Sequence, residues 1–424
     1  MDASTKIKNL LNNKFFRGGF FFTVSNFIGG FLNYLFNSLS GKLLGPVGYG
    51  EIAAYSAYLT IFSIPIQIAS YELIRRLGQK GEKRIIVLRE WEFWLTTEVK
   101  KWKFLAIPYF LLILILPNLT NLSLLFSFVL LMVLLASLMS TFYLTSLQGI
   151  HEFFWYSVLA LAPVLIKLFG PVLVYFHIDG ISTIGIMLIF SALSSFVFGK
   201  FLLDKIFSKA ATRIKSFKTQ VIKLVFTKQL LIMSLSLIAL NLLNNLDIMY
   251  VKKFFTANIA GVYGAWSLYG KIIFYIFGPI ISLAYIFFAD RDQSKNHRKS
   301  LAISIGVFLL GGLIFFLTYT FFGKFVLSLI FNSRYFEILS LLPRAALFGL
   351  LYSLIIILNN YFIAKHSPAS LTSLIIIPFY GLGLFFWGKT IDMVVNIDLI
   401  FSSLILIFSL FFAAIISTNE RKTT

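Results

Sequence analysis

Apolar residues run along this chain in long stretches separated by short polar intervals. Twelve stretches approach or exceed the roughly 20 mainly apolar residues that a helix needs to cross a bilayer. They fall at 20–40, 51–74, 104–117, 122–147, 155–176, 182–203, 229–250, 262–288, 300–322, 339–362, 370–387 and 396–416. The third is short and is expected to tilt or to thin the bilayer locally. The first begins too late and is too polar to read as a cleaved signal peptide. No interval is long enough for a soluble domain. The pattern predicts an all-α integral membrane protein of about twelve transmembrane helices.

Composition agrees. The 424 residues are 58% hydrophobic and 13% charged, about half the charged share of a soluble domain. Too few charges remain to cover a water-facing surface, which argues against a soluble enzyme and a disordered protein. Cysteine is absent and histidine occurs four times, widely spaced. No disulfide framework, thiolate nucleophile, metal centre or cofactor is expected. There is also no phosphate-binding loop of the ATPase type.

The net charge of +20 would suggest nucleic acid in a soluble protein. Its distribution says otherwise. With a cytoplasmic N-terminus, 28 of the 37 basic residues fall on the cytoplasmic side, 7 on the opposite side and 2 inside spans. That is the bias that orients membrane proteins. It predicts cytoplasmic termini and removes the case for nucleic acid. Residues 75–103 hold nine of the basic residues together with Trp91, Trp94 and Trp102. They read as an aromatic, basic interfacial segment on membrane lipid or as a docking site for glycosyltransferases.

The longest basic interval divides the spans six and six. It predicts an N-terminal lobe at 1–203, a basic cytoplasmic linker at 204–228 and a C-terminal lobe at 229–424. The halves echo each other. Gly45-Pro46-Val47-Gly48-Tyr49-Gly50 joins the first two spans, and Ala260-Gly261-Val262-Tyr263-Gly264 joins the seventh and eighth. Gln148-Gly149-Ile150-His151 follows the fourth span, and Ala364-Lys365-His366-Ser367 follows the tenth. Repeats of six spans with parallel topology are a common architecture of secondary transporters.

These motifs carry a family resemblance. Asn33, Asn37, Gly45-Pro46 and Tyr49-Gly50, with Gln148-Gly149, resemble the polysaccharide flippases (Wzx-like) of the multidrug/oligosaccharidyl-lipid/polysaccharide exporter superfamily. Asn244-Asn245-Leu246-Asp247 followed by Gly261-Val262-Tyr263-Gly264 does the same. The resemblance covers nearly the whole chain. It implies a MATE-like, V-shaped pair of six-helix lobes that rock between inward-open and outward-open states in the bacterial plasma membrane. It implies, as substrate, an undecaprenyl-pyrophosphate-linked glycan for O-antigen- or capsule-type polysaccharide, with glycosyltransferases and a polysaccharide polymerase as partners. A MATE-type multidrug or cation antiporter is the alternative, and a membrane-embedded polymerase or ligase a more distant one.

Pyrophosphate cannot cross hydrocarbon unpaired, so a flippase needs buried cations and a polar wall. Ionisable residues inside spans are functional candidates. Lys271 lies in the eighth span, on one helical face with Ser267, Tyr275, Gly278 and Ser282. It reads as a pyrophosphate ligand or as the ion-pair partner of Asp247. Lys167 sits mid-span between Pro163 and Pro171, where broken hydrogen bonds often border a transport path. Arg344 reads as an anion ligand or an interfacial anchor. Ser56, Thr60, Ser63, Gln67 and Ser70 step by three and four and share a face; Asn33 belongs to a similar stripe. Ser63, Gln67, Tyr275 and Asn33 are therefore candidate glycan contacts, with small-residue helix packing as the alternative. Asp247 is the only carboxylate read well within a span, for ion coupling or for structure. Glu51 and Glu72 read as interfacial.

Overall fold

The computed structural model describes residues 14–80, 84–210, 227–289 and 297–423. These residues are helical almost throughout. The helices are α1 (Lys14–Phe62), α2 (Ile64–Lys80), α3 (Arg84–Lys101), α4 (Ala106–Leu111), α5 (Leu116–Thr120), α6 (Leu124–Gly149), α7 (Phe153–Tyr175) and α8 (Gly180–Ala210). After them come α9 (Lys228–Leu243), α10 (Leu246–Phe254), α11 (Ala257–Ala289), α12 (His297–Phe321), α13 (Gly323–Ile330), α14 (Leu342–Ala364), α15 (Thr372–Trp387) and α16 (Ile391–Thr423). Eight stretches of helix are individually long and apolar enough to cross a membrane, ten when two bent pairs are each counted as one span. The chain is a multi-pass membrane protein. Of the expected linker at 204–228, residues 211–226 lie outside the described ones.

α1 contains the first expected loop. Gly45 takes φ 69°, ψ −176° within it, and Pro46 follows. Twelve residues of straight helix rise about 18 Å, yet the Tyr49 hydroxyl donates to Asn37 Oδ1 at 3.3 Å. The chain therefore folds back at Gly45, where a positive φ suits only glycine well. The short third run divides into α4, α5 and intervening 3₁₀ turns. Its Phe104, Leu105 and Ile107 are exposed, as lipid-facing residues are.

Contacts group the chain into two units. The first comprises Met1–Phe36, Phe62–Leu119 and Ser123–Val225; the second comprises Asn37–Ile61, Thr120–Leu122 and Phe226–Thr424. In the first unit a core forms where α2, α3, α6, α7 and α8 meet, through Leu73, Leu77, Leu88, Trp91, Phe142, Tyr143, Tyr156 and Leu203. Glu72 is fully buried there and accepts from Arg75 and Arg76 at 2.6–2.8 Å, and Arg76 also lies over the Trp91 ring. Glu72 was expected at a water interface; it is instead the buried acceptor of two guanidiniums. Burial and then Asp204 push the Glu92 carboxyl on α3 up, against the opposing pull of Arg89 and Lys200.

In the second unit α11 and α14 form the centre. Gly270 and Gly349 let their backbones cross in direct contact. Hydroxyl and indole groups satisfy carbonyls freed at helix ends: Trp266 Nε1 donates to Leu341 O at 2.9 Å and Tyr269 to Val326 O at 3.1 Å. The paired histidine motifs share one geometry. His151 and His366 both adopt a left-handed backbone, φ 65° and 53°. Behind each, an amide reaches back five residues, Glu152 N to Leu147 O and Ser367 N to Phe362 O, both 2.9 Å. These are helix-terminating turns that glycine usually serves.

Candidate functional site

The intramembrane candidates separate into a lysine in the first unit and a polar cluster in the second. Lys167 is half-buried on α7 between its two prolines. Its ammonium lies 4.7 Å from the centre of the Phe36 ring. Among the described residues it makes no hydrogen bond or ion pair. Gln67 Nε2 donates to Ser63 Oγ at 3.0 Å, and both side chains are half-buried. Ser70 returns its hydroxyl to Ile66 O, as Ser56 does to Ile52 O. These polar groups are helically satisfied yet remain partly accessible. Asn33 is half-buried on α1.

The cluster in the second unit centres on Asp247, at the start of α10, and on Asp398 in α16. Both are fully buried. The Tyr263 hydroxyl on α11 stands 2.7 Å from Asp247 Oδ2 and 2.7 Å from Asp398 Oδ2. Tyr380 on α15 donates to Asp398 Oδ1, also at 2.7 Å. A tyrosine has one hydroxyl hydrogen. It can serve one carboxylate only; the second contact is a hydrogen bond only if that carboxyl is protonated and donates to Tyr263 Oη. The geometry therefore describes two carboxyls holding one proton between them.

Lys271 joins this cluster from α11. Its Nζ donates to Asn245 Oδ1 at 3.0 Å, and its charge interacts with that of Asp247. Asn245 sits at the break where α9 and α10 bend by 44°. With Lys271 protonated and one proton shared by the acids, the cluster is close to neutral, as burial demands. Among the described residues, Asp247 Oδ1, Asn244 Oδ1, Ser267 Oγ and Ser402 Oγ are four of seven buried oxygens with no hydrogen-bond partner. Ser267 follows Tyr263 by one turn and Ser402 follows Asp398 by one turn, so each shares a helix face with a cluster member. Among the described residues no group of three or more His, Cys, Asp or Glu could hold a metal ion.

Tyr275, one turn beyond Lys271, is 53% exposed, so that face of α11 runs from buried Ser267 to an open end. Arg344 stands apart on the first turn of α14. Its Nη1 bonds Asp392 Oδ1 at 2.5 Å and Asn396 Oδ1 at 3.1 Å, which matches its charge locally. Asp398 was missed from the sequence. It lies at the third position of the last apolar run, and the hydroxyls that meet it from α11 and α15 left no mark in the sequence.

The two glycine motifs meet within the second unit. A Cβ on Gly261 would strike Pro46 O, and one on Gly50 would lie 2.9 Å from Gly261 N. Beside them Lys252 Nζ bonds Glu51 Oε1 at 2.5 Å, the side chains 4% and 13% exposed. Glu51 is thus an ion-pair partner inside the unit rather than an interfacial carboxylate.

Comparison with solved structures shows the fold. The lipid II flippase MurJ in an inward closed conformation superposes with a TM-score of 0.65 at 14% identity, over 93% of this chain and 87% of that one. A eukaryotic MATE transporter gives 0.63 at 12% identity, over 95% and 96%. An inward-facing multidrug resistance MATE family transporter of the MOP superfamily gives 0.61 at 12%, over 92% and 96%. The chain has the MATE- and MurJ-like fold. No family model matches it, and no curated protein does.

Proposed function

We propose that the protein is a Wzx-like flippase. It moves undecaprenyl-pyrophosphate-linked oligosaccharides from the cytoplasmic to the outer leaflet of a bacterial plasma membrane by alternating access, with both termini cytoplasmic and lobes near 1–203 and 229–424. The observation that carries this reading is Lys167, a mid-span ammonium whose only partner among the described residues is an aromatic ring. A cation–π contact gives about 0.5–2 kcal/mol, whereas burying an ion costs several. A phosphate arriving at Lys167 supplies the missing charge. Gln67, Ser63 and Asn33 in the same unit offer hydrogen bonds to sugar. The fold shared with a lipid II flippase supports a lipid-linked substrate.

In this reading Asp247 and Asp398 form the coupling site, taking up and releasing a proton. Lys271 balances the charge of that site in preference to binding substrate, and Arg344 acts as an anchor. The same acid pair also supports a second reading, a cation antiporter of the MATE type. Surface glycan in a strain lacking the gene, complemented with wild type or Lys167→Ala, separates the two. The flippase reading expects loss of surface glycan, accumulation of lipid-linked repeat units on the cytoplasmic leaflet, and no rescue by Lys167→Ala at normal membrane abundance. Unchanged glycan with raised sensitivity to cationic dyes would replace it by the antiporter.

A further inference from the structure

α10 is nine residues long and carries two functional groups at once. Asp247 opens it, and Lys252 follows five residues later, about 7.5 Å along the axis. Asp247 belongs to the cluster with Tyr263, Lys271, Asp398 and Tyr380. Lys252 holds Glu51 of the 37–61 segment, and its carbonyl accepts from Asn121 Nδ2 at 2.9 Å. Behind Asp247 the helix is broken at Asn244-Asn245.

The seat of residues 37–61 combines ring contacts with polar bonds. Most of its polar bonds end on backbone carbonyls: Ser38 Oγ to Ile330 O at 2.7 Å, Lys42 Nζ to Leu329 O at 2.8 Å, Tyr335 Oη to Gly41 O at 3.0 Å and Asn332 Nδ2 to Lys42 O at 3.2 Å. Water can replace each of these. The helix contacts pair small residues, Gly50 on Gly261 and Ala53 on Gly264, and add the buried Tyr49 ring against Phe331 and Tyr335. The buried Glu51–Lys252 pair is the exception. A buried ion pair adds little net stability, but losing one partner is costly, so it acts as a latch with two distinct states.

We infer that α10 is a lever: the proton content of the Asp247–Asp398 pair sets whether the Glu51–Lys252 clasp holds residues 37–61 against the second unit. This rests on the coupling role proposed above. With the shared proton in place, Tyr263 bridges both acids and α10 is held. Without it, two carboxylates face one hydroxyl and repel. Asp398 lies within the 33-residue α16, whereas Asp247 lies at the free end of a nine-residue helix, so Asp247 yields. Lys252 moves with it and the clasp opens. The charged groups around the two ends are Lys271 at the cluster, and Lys42, Lys253 and Arg334 near the seat.

The chain has no cysteine, so Ser38→Cys in the full-length protein gives one thiol, buried only while the clasp is closed. Its maleimide labelling rate, divided by that of glutathione under the same conditions, would be measured at about pH 6 and about pH 8. The inference expects slow labelling at the lower pH and a rise of several-fold at the higher. Adding Asp398→Asn, which cannot lose a proton, should keep labelling slow at both. Adding Lys252→Met should raise labelling about tenfold at both, and the swap Glu51→Lys with Lys252→Glu should reverse that rise, which separates an open clasp from a misfolded chain. A parent ratio that ignores pH, a pH response that survives Asp398→Asn, or a Lys252→Met protein as protected as the parent would each overturn the lever. No substrate enters this measurement. A normal labelling pattern with unchanged surface glycan would retire the flippase reading and keep the lever.

Discussion

Lys167 and Lys271 are the same residue at similar depth in apolar helices, yet their surroundings differ in kind. In the first unit Lys167 faces an aromatic ring, and the buried carboxylate of that unit, Glu72 in α2, is taken up by Arg75 and Arg76 instead. In the second unit Lys271 is bonded to Asn245 and interacts with Asp247, inside a cluster that also holds Asp398 and two tyrosines. Among the described residues one lysine lies against a ring alone; the other stands within a cluster of polar and acidic groups. A buried charge in a sequence does not reveal which of these it is, because the answer lies in what other helices bring to it.

The largest effect should come from the acids. Asp398→Asn and Asp247→Asn are each expected to abolish transport while leaving abundance and thermal stability near normal, because an amide retains the hydrogen bonds of the protonated carboxyl. Transport at wild-type rate in the double Asn variant would break the contrast between the units. Next, Lys167→Ala should weaken apparent substrate affinity by roughly 10- to 100-fold, the value of a charged hydrogen bond. Lys271→Ala should instead move the pH profile of transport. The two lysines giving the same phenotype would argue that they share one task.

Backbone approach gives a third contrast. Gly261→Ala in the second unit has no room against Pro46 O and should destabilise the protein by more than about 3 kcal/mol. Gly170→Ala in the first unit, where a Cβ would meet Ile184 Cα at 3.3 Å, should cost about 1 kcal/mol or less. Thermal unfolding in detergent would compare them. A smaller and symmetric effect is expected from His151→Gly and His366→Gly. Each relieves a left-handed backbone and should gain up to about 1 kcal/mol; unequal gains would show that the matching turns are not equivalent. The smallest change concerns Glu92. Its carboxyl is pushed up on folding, so its penalty is absent in acid, grows as pH rises above the ordinary carboxylate value and is complete above the folded one. Glu92→Gln should raise Tm slightly at neutral pH and not at low pH.

The glycine motifs show how far the sequence reaches. The first was legible as a chain reversal, which the positive φ at Gly45 makes; the second, expected to join two spans, lies within the first turns of α11 instead. Their packing on one another was not legible, since close approach of two backbones leaves no mark but the absence of side chains. Likewise Glu51 and Glu72 stood at the edges of an apolar run and read as interfacial; their pairing with partners 201 and three or four residues away was not legible.

What the sequence determined by itself was everything set by local hydrophobicity and charge. Runs of apolar residues must form helices in a bilayer, because only a helix satisfies its own backbone there, and Lys167 and Lys271 were visible as exceptions to that rule. What only the tertiary structure decided was the pairing: that Tyr263 stands between Asp247 and Asp398, that Asp398 is buried at all, and that α10 joins this cluster to Glu51. Hydrogen bonds a few ångströms long between residues more than a hundred positions apart depend on how helices cross, and apolar periodicity does not encode which faces meet.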